Sequence, residues 1–276
     1  MKKVFEKAKL LNESPFHYCP GCSHGIVHRL IAEVLEELNM AEKAIGIFPV
    51  GCSVFGFNYY KSDAFQAAHG RAPAVATGVK RVRPDSIIFS YQGDGDLASI
   101  GMAETVHAAS RGENVTFVFI NNGIYGMTGG QMAPTTLPGD KASTCPMGRD
   151  PKVHGNPIKV SEMLATLTGP AYIERTAVDN AAGVRKTKAA LKKAFEYQKK
   201  ELGFTMIEVL STCPTGFHMT PSDAQKALSK YMDFYPLGVY KDVLAEGSGC
   251  GCSGDCAPKA APVVAPKATA NKKGGK

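Results

Sequence analysis

Short apolar runs alternate with amphipathic segments along most of the chain. The runs AIGIFPVG, SIIFSYQ, NVTFVFI, AYIERTAV and FTMIEVLS are nearly continuously apolar, as is typical of strands buried on both faces of a parallel sheet. The segments between and around them predict helices over about residues 25–38, 72–83, 97–110, 181–200 and 221–231. Because helices alternate with strands, we predict an α/β fold built on a doubly wound parallel sheet.

Two segments interrupt this alternation. From about residue 121 to residue 156, glycine and proline exclude long regular structure and predict a long loop, and long loops in compact domains tend to be functional. Residues 247–276 are low-complexity and rich in Gly, Ala, Pro and Lys, which predicts a disordered tail. We therefore expect one large domain over residues 1–246, followed by this tail.

The net charge of +7 does not by itself indicate a nucleic-acid-binding protein. Five lysines in the tail are opposed by Asp255 alone, so the tail contributes +4 and the body about +3. The body contains no Lys/Arg run interleaved with aromatic residues, which favours an ordinary solvated surface over nucleic-acid binding. No window approaches eighteen apolar residues, so we expect no membrane association and predict a cytoplasmic protein, in which the eight cysteines serve as metal ligands, as catalytic groups or as buried thiols.

Unusual residues follow the predicted strands or precede the first helix. In doubly wound sheets, ligands bind beyond the carboxyl ends of the strands, and the N-termini of the returning helices lie at that same edge. We therefore expect one crevice to collect these residues: Cys19, Cys22, Cys52, Asp94, Asn121, Asn122 and Cys213.

The Gly93-Asp94-Gly95 turn predicts an anion site with a metal ion. The glycines allow the main chain to approach a ligand, Asp94 supplies a hard oxygen for Mg²⁺, and the helix that begins near Leu97 points its amide groups at an anion. Asn122 would add a second oxygen ligand. Such turns also occur for purely conformational reasons, and the asparagine pair one helix and one strand later is what favours the ligand site.

Gly93-Asp94-Gly95 followed by Asn121-Asn122 resembles the thiamin diphosphate motif of thiamin-dependent enzymes. More narrowly, CPGCSHG, PVGCS, HGRAPAVATGVKRVRPD, GDGDLASIG, NNGIYGMTGGQMAPTT and STCPTGF occur in the order expected for the β subunit of 2-oxoacid:ferredoxin oxidoreductases. The resemblance spans roughly Phe16 to Tyr235. It is greater to members that act on branched-chain 2-oxoacids (2-oxoisovalerate) or 2-oxoglutarate than to those that act on pyruvate.

This resemblance implies a thiamin diphosphate-binding fold and particular site residues. Asp94, Asn122 and the carbonyl of Ile124 would hold Mg²⁺. His69, in the His-Gly-Arg sequence, would either act near the cofactor as a catalytic residue or cap the next helix. The residues implied to line the cofactor are His24, Cys52, Gly93, Asp94, Gly95, Asp96, Asn122, Gly123, Ile124, Tyr125 and Met127.

The cysteines allow more than one metal. Four thiolates, from Cys19, Cys22, Cys52 and Cys213, would suit either a structural zinc ion or a [4Fe–4S] cluster, and inert burial is the third possibility. The resemblance favours the cluster. Cys145 is predicted to be a free thiol, and the tail cysteines Cys250, Cys252 and Cys256 are not expected to be ligands, because ordering a flexible tail costs entropy.

By the same resemblance, the chain would catalyse coenzyme A-dependent oxidative decarboxylation of a 2-oxoacid and pass the electrons to ferredoxin. The sequence offers no convincing glutamate to activate the cofactor's aminopyrimidine ring. In the family an α subunit supplies it, and γ and δ subunits are further candidate partners. Two alternatives stay open: a non-redox thiamin-dependent decarboxylase or synthase subunit with structural zinc, and a metal-bearing scaffold without thiamin.

Overall fold

The computed structural model describes residues 6–247. Its nine strands are β1 (Ala44–Phe48), β2 (Asp63–Gln66), β3 (Ile87–Gly93), β4 (Thr116–Asn121), β5 (Ile124–Tyr125), β6 (Gln131–Met132), β7 (Pro170–Ala177), β8 (Phe204–Leu210) and β9 (Gly238–Asp242). Its α-helices are α1 (His24–Glu37), α2 (Ala72–Val82), α3 (Met102–Ser110), α4 (Pro151–His154), α5 (Val160–Ala165), α6 (Ala181–Lys199), α7 (Pro221–Phe234) and α8 (Val243–Gly247). The five predicted strands and five predicted helices are all among them.

Seven strands form the main sheet in the order β2-β1-β3-β4-β8-β7-β9. Six of them are mutually parallel, and β9 pairs antiparallel with β7 at one edge. From β1 the chain first adds β2 on one side and then β3 and β4 on the other. The direction of winding therefore reverses between β1 and β3, and such a switch point leaves a crevice at the carboxyl ends of these strands.

The core lies in two layers, one on each face of the sheet. Helices α1 and α6 cover one face, where α6 packs on β7 and β8. Helices α2, α3 and α5 cover the opposite face. Strands β3, β4 and β8 are buried along nearly their whole length, which explains why their sequences are continuously apolar rather than alternating.

Four strands were not predicted: β5 and β6, two residues each, form a separate two-stranded sheet within the predicted long loop, and the other two are the least buried strands of the main sheet. Strand β2 is largely exposed and β9 is exposed over its first residues, and both lie at sheet edges. Edge strands carry weak hydrophobic patterns, so a prediction based on apolar runs misses them. The predicted helix over residues 97–110 also differs, because a single π-helical turn, Asp96–Ile100, precedes α3. Such turns are frequent at functional sites.

A buried ion network lies beneath the carboxyl edge of the sheet. Arg175 on β7 is fully buried, with Nη2 2.5 Å from Glu162 and Nε 2.8 Å from Glu208 on β8. Glu208 also accepts hydrogen bonds from the Ser161 hydroxyl (2.5 Å) and the Asn121 side-chain amide (2.8 Å). Asn121 is therefore committed to the core, and only the second asparagine of the pair is free to face a ligand.

Within residues 6–247, none of the helices has both the length and the apolar character needed to cross a bilayer.

Candidate cofactor site

The sequence-predicted residues converge on one cavity at the switch point of the sheet. Its volume is about 80 Å³, and it is lined by the turns after β1 and β3, the loop after β4, the first residue of α1 and the segment between β2 and α2. The lining side chains and glycines include His24, Cys52, His69, Gly93, Asp94, Gly95, Asp96, Asn122, Ile124, Tyr125 and Met127. Parallel strands therefore bring together residues that are up to about 100 positions apart in the sequence, as expected for this fold class.

Asp94 lies at the centre of the site and is 2% exposed. Its Oδ1 accepts a hydrogen bond from the Gly95 amide (2.8 Å), and its Oδ2 accepts from the Gly123 amide (2.7 Å) and the Thr135 hydroxyl (2.6 Å). Burial raises the pKa of Asp94 to about 6, against the opposing effect of these hydrogen bonds. A nearby cation would favour the ionised form, so the carboxylate suits a metal ion.

Asn122 contributes a second oxygen at the same place. It is 7% exposed, and its Oδ1 accepts a 3.2 Å hydrogen bond from the Ile124 amide. Gly123 lies between Asn122 and Ile124 and has φ +73°, a conformation that favours glycine. A side chain at Gly123 would collide with Tyr231. The loop after β4 is therefore bent sharply so that Asn122 returns toward Asp94.

The glycines around Asp94 have different reasons for being glycine. A side chain on Gly95 would collide with the ring of Tyr125, whose hydroxyl donates a 3.3 Å hydrogen bond to the Gly95 carbonyl. A Cβ atom added to Gly93 would point into open space. Close approach to a ligand is thus a sufficient reason only for Gly93, whereas Gly95 is required by packing within the protein.

Asp96 orients His69 through a buried chain of hydrogen bonds. His69 Nδ1 is 2.5 Å from Asp96 Oδ1, which also accepts from the Gly70 amide at 2.6 Å. Asp96 Oδ2 accepts from Gln92 (2.7 Å), and Gln92 accepts in turn from the Ser90 hydroxyl (2.8 Å). The N-cap residue of α2 is Arg71, whose side chain makes no capping hydrogen bond, and the His69 imidazole bonds to Asp96 at the wall of the cavity.

His24 and Met127 lie at the margins of the cavity. His24 is 2% exposed, and its Nδ1 is 2.7 Å from the Tyr91 hydroxyl. Burial lowers the pKa of His24 to about 4, so the ring is neutral near pH 7. Met127 is 51% exposed, which leaves its side chain available to a ligand or a partner.

The residues present fit a magnesium-bound diphosphate. Mg²⁺ prefers oxygen ligands and is usually held by one or two carboxylates together with the phosphates of a substrate, rather than by a dedicated protein cage. Asp94 and Asn122 provide such oxygens, and the open space over Gly93 gives a phosphate access to the backbone. Among the described residues, no group of three or more His, Cys, Asp and Glu side chains has a metal-binding arrangement.

Two of the four predicted cysteine ligands, Cys52 and Cys213, lie close to one backbone turn beside the cavity. A side chain on Gly126 would lie 2.9 Å from Cys213 Sγ and 3.7 Å from Cys52 Sγ, so both thiols face the same backbone turn. Burial, followed by the charges of Cys22, Cys213 and Cys19, raises the pKa of Cys52 to about 12.

The remaining described cysteine, Cys145, packs in an apolar cluster that Cys213 also contacts. Cys145 is 2% exposed and its thiol lies 3.7 Å from the Asp140 carbonyl oxygen, as expected for a buried free thiol. Cys250, Cys252 and Cys256 lie outside the described residues.

Three residues of the site were missed by the sequence analysis. Thr135 binds Asp94, Thr136 donates a 2.6 Å hydrogen bond to the Gly123 carbonyl, and the buried Arg149 binds the backbone of the segment that carries both threonines. The only signal in the sequence was a pair of adjacent threonines and one arginine in the loop rich in glycine and proline.

A second cavity of about 420 Å³ lies on the other side of Asn122, between α7 and the loop after β6. Its lining is mostly apolar, with Lys141 and Lys230 at its margin. Asn122 lines both cavities, and Cys213 is the other predicted site residue that lines the larger one, so most of the predicted site residues lie at the smaller cavity.

Comparison with known proteins agrees with this arrangement. Residues 49–209 match the family described as thiamine pyrophosphate enzyme, C-terminal TPP binding domain, and this range includes Asp94 and Asn122. The chain is 46% identical over 244 residues to ketoisovalerate oxidoreductase subunit VorA of Methanothermobacter thermautotrophicus, covering 88% of this chain and 51% of that protein. It is 40% identical to 2-oxoglutarate synthase subunit KorB of Methanocaldococcus jannaschii, covering 73% and 70% of the two chains.

Among solved structures, the 2-oxoglutarate:ferredoxin oxidoreductase of Magnetococcus marinus, with 2-oxoglutarate, coenzyme A and succinyl-CoA bound, has a similar chain. The TM-score is 0.70 at 28% identity, over 92% of this chain and 94% of that one. The chain spans about half the length of the VorA relatives and a larger share of the KorB relatives. The family predicted from the motifs is confirmed: the chain belongs to the thiamine pyrophosphate enzymes and, within them, to the subunits of 2-oxoacid:ferredoxin oxidoreductases that include VorA and KorB.

Proposed function

We propose that this chain is the thiamin diphosphate- and [4Fe–4S]-carrying β subunit of a cytoplasmic 2-oxoacid:ferredoxin oxidoreductase. The complex would decarboxylate a branched-chain 2-oxoacid or 2-oxoglutarate oxidatively, with coenzyme A as co-substrate and ferredoxin as electron acceptor. The observation that carries the proposal is the position of Asp94, Asn122 and Cys52 around one cavity at the sheet edge, with the Cys213 thiol beside the same Gly126 turn as Cys52. The substrates named for VorA and KorB support both classes of 2-oxoacid.

In this proposal, Asp94, Asn122 and the Ile124 carbonyl hold Mg²⁺ against the cofactor's diphosphate. Bound thiamin diphosphate supplies the carbon nucleophile and the electron sink for decarboxylation. The protein orients it, and Gly93 allows the backbone to approach. Gly95, Asp96, Gly123, Tyr125, His24, Cys52 and Met127 would complete the wall of the site.

The cluster would be held by Cys19, Cys22, Cys52 and Cys213. Burial raises the pKa of the Cys22 and Cys52 thiols to about 11 and 12, and a bound cation would reverse this by stabilising the thiolates. A cluster beside the cofactor cavity shortens the path that electrons must take as they leave it. The non-redox alternative places a zinc ion at the same thiols, and the scaffold alternative leaves the thiamin site without a role.

The small cavity supports a divided active site. A volume of about 80 Å³ is well below the roughly 300–1,000 Å³ typical of pockets that enclose a small molecule. The two carboxylates that line the cavity, Asp94 and Asp96, are occupied by hydrogen bonds within the protein. We therefore propose that an α subunit covers this edge and supplies the missing glutamate, with γ and δ subunits as further candidates.

Replacing Asp94 by Ala should abolish thiamin diphosphate binding, because the diphosphate loses its metal bridge while the fold is kept. Thiamin content after purification and the melting temperature measure the two effects. Asp85→Ala, an exposed carboxylate at the amino end of the same strand, is the control and should retain the cofactor. Wild-type thiamin content in the Asp94 variant would disprove the assignment of Asp94 as a metal ligand.

Serine at Cys19, Cys22, Cys52 or Cys213 should remove the broad visible absorbance of a cluster and reduce iron and acid-labile sulfide in anaerobically purified protein. Cys145→Ser and deletion of everything after Glu246 should leave all three signals intact. Zinc in place of iron in the wild-type protein would favour the non-redox alternative, and loss of the cluster on tail deletion alone would show that the ligand set is wrong.

Replacing His69 by Gln should lower the kcat of the complex reconstituted with the α subunit by roughly 10²- to 10⁴-fold, the range for loss of a proton-transferring group, with thiamin content unchanged. The physical reason is the loss of an imidazole that Asp96 holds toward the cavity at 2.5 Å. His107→Gln, an exposed histidine of α3, is the matched control and should keep full activity. An unaltered kcat in His69→Gln would exclude a catalytic role.

The isolated chain should not decarboxylate any 2-oxoacid at an enzymatic rate, because the group that activates the cofactor belongs to the partner. Addition of the α subunit should restore turnover, measured as coenzyme A-dependent reduction of a low-potential dye across a panel of 2-oxoacids. Sustained turnover by the chain alone would disprove the divided site, and the preferred 2-oxoacid in the panel identifies the substrate.

A further inference from the structure

The Thr135 hydroxyl determines how much of the Asp94 carboxylate is available to a metal ion. Thr135 is 0% exposed and its Oγ1 donates to Asp94 Oδ2 at 2.6 Å. The residue lies 41 positions after Asp94, in the loop before α4. The inference below rests on the proposed function, since it takes Asp94 as a metal ligand.

An ionised carboxylate can accept about four hydrogen bonds, two on each oxygen. Oδ2 of Asp94 already accepts two, from the Gly123 amide and the Thr135 hydroxyl. Oδ1 accepts one, from the Gly95 amide. Both acceptor positions on Oδ2 are therefore occupied by the protein, and Oδ1 is left as the oxygen that can bind a metal ion.

We propose that Thr135 is a specificity-determining residue of the metal site, which restricts Asp94 to binding through one oxygen and thereby favours Mg²⁺ over Ca²⁺. The two cations differ in what they require from a carboxylate. Mg²⁺ takes near-ideal octahedral coordination with short bonds, for which one oxygen per carboxylate is suitable. Ca²⁺ takes six to eight oxygens in flexible geometry and commonly binds both oxygens of one carboxylate. Removal of the Thr135 hydroxyl frees a position on Oδ2 and makes two-oxygen binding possible.

Thr135 can impose this restriction because hydrogen bonds from two other side chains hold the backbone of its segment. The Tyr235 hydroxyl donates to the Thr135 carbonyl at 3.0 Å. Arg149 Nη1 donates to the carbonyls of Ala133 (3.3 Å), Pro134 (3.0 Å) and Thr136 (2.7 Å). Threonine is branched at Cβ and stiff at χ1, so a fixed backbone also fixes the direction of its hydroxyl.

Arg149 itself is used as a backbone anchor. It is 5% exposed, and its other nitrogens donate to the carbonyls of Gly155 and Asn156 at 2.9 Å each. No ion pair to Arg149 occurs among residues 6–247, and carbonyl oxygens satisfy the guanidinium instead. The guanidinium thereby ties the Thr135 segment to the turn after α4.

Thr136 offers a matched control in the adjacent position. It is equally buried, and its hydroxyl donates to the Gly123 carbonyl (2.6 Å) and accepts from the Ala133 amide (2.8 Å). It does not bond to Asp94. Its loss should disturb the loop that carries Asn122 and weaken both cations alike.

The experiment compares Mg²⁺ and Ca²⁺ binding by isothermal titration calorimetry on the full chain with thiamin diphosphate present, for the wild type, Thr135→Val, Thr135→Ser and Thr136→Val. We expect Thr135→Val to lower the Mg²⁺:Ca²⁺ affinity ratio about tenfold or more, as for the loss of one hydrogen bond to a charged group. Thr135→Ser keeps the hydroxyl and should retain the wild-type ratio, and Thr136→Val should change both affinities with the ratio kept. Thr135→Ala also lacks the hydroxyl and must show the same shift if the valine variant is unfolded by circular dichroism.

The outcomes separate the two proposals. If the wild type binds Mg²⁺ and the ratio is unchanged in the variants without the Thr135 hydroxyl, the role of Thr135 is overturned and the metal assignment of Asp94 stands. An equal loss of the ratio in Thr136→Val would also overturn it, because the effect would then come from the loop as a whole. If the wild type binds neither cation with thiamin diphosphate present, the metal assignment fails and this inference fails with it.

Discussion

The carboxylate of Asp94 is the group on which the rest of the site depends. It is buried at the carboxyl end of β3, and within residues 6–247 it has no cationic side chain as an ion-pair partner. Burying a charge without a partner is unfavourable in free energy, and burial therefore raises the pKa of Asp94 by disfavouring its ionised form. Three hydrogen bonds, from the chain next to it, the loop after β4 and the segment before α4, offset part of it. The same three bonds hold these segments in register around the cavity.

Two buried arginines support this arrangement in different ways. Arg175 pairs with Glu162 and Glu208, and Glu208 in turn fixes the Asn121 amide beneath the sheet edge. Arg149 has no carboxylate to pair with in the described part of the chain and binds backbone carbonyls of the long loop. The first fixes the strand ends and the second fixes the loop that closes over them. A loop that looks irregular in sequence is thus held by several side-chain hydrogen bonds to its backbone.

The glycines and histidines of the site illustrate how one motif can combine ligand access with internal packing. Gly93 faces open space, whereas Gly95 and Gly123 are glycine because Tyr125 and Tyr231 pack against them. His69 belongs to a buried chain of hydrogen bonds that runs back through Asp96 to Ser90 on β3. The presence of a glycine or histidine in these sequences therefore does not reveal whether the residue contacts the ligand. The contacts in the structure distinguish residues that face the ligand space from residues that pack within the protein.

The sequence by itself determined the fold class, the family and most of the residues at the cavity. Buried parallel strands leave continuous apolar runs, and each run ends in a turn whose polar residues and glycines stand out against it. The edge strands β2 and β9 could not be predicted in this way, because exposed strands need no apolar pattern. The contributions of Thr135, Thr136 and Arg149 were decided only by the tertiary structure. Their bonds to Asp94, Gly123 and the loop backbone join residues 13 to 41 positions apart, or bind main-chain atoms that carry no side-chain signal. Such contacts depend on where the folded loop comes to lie, and no local pattern of residues encodes that position.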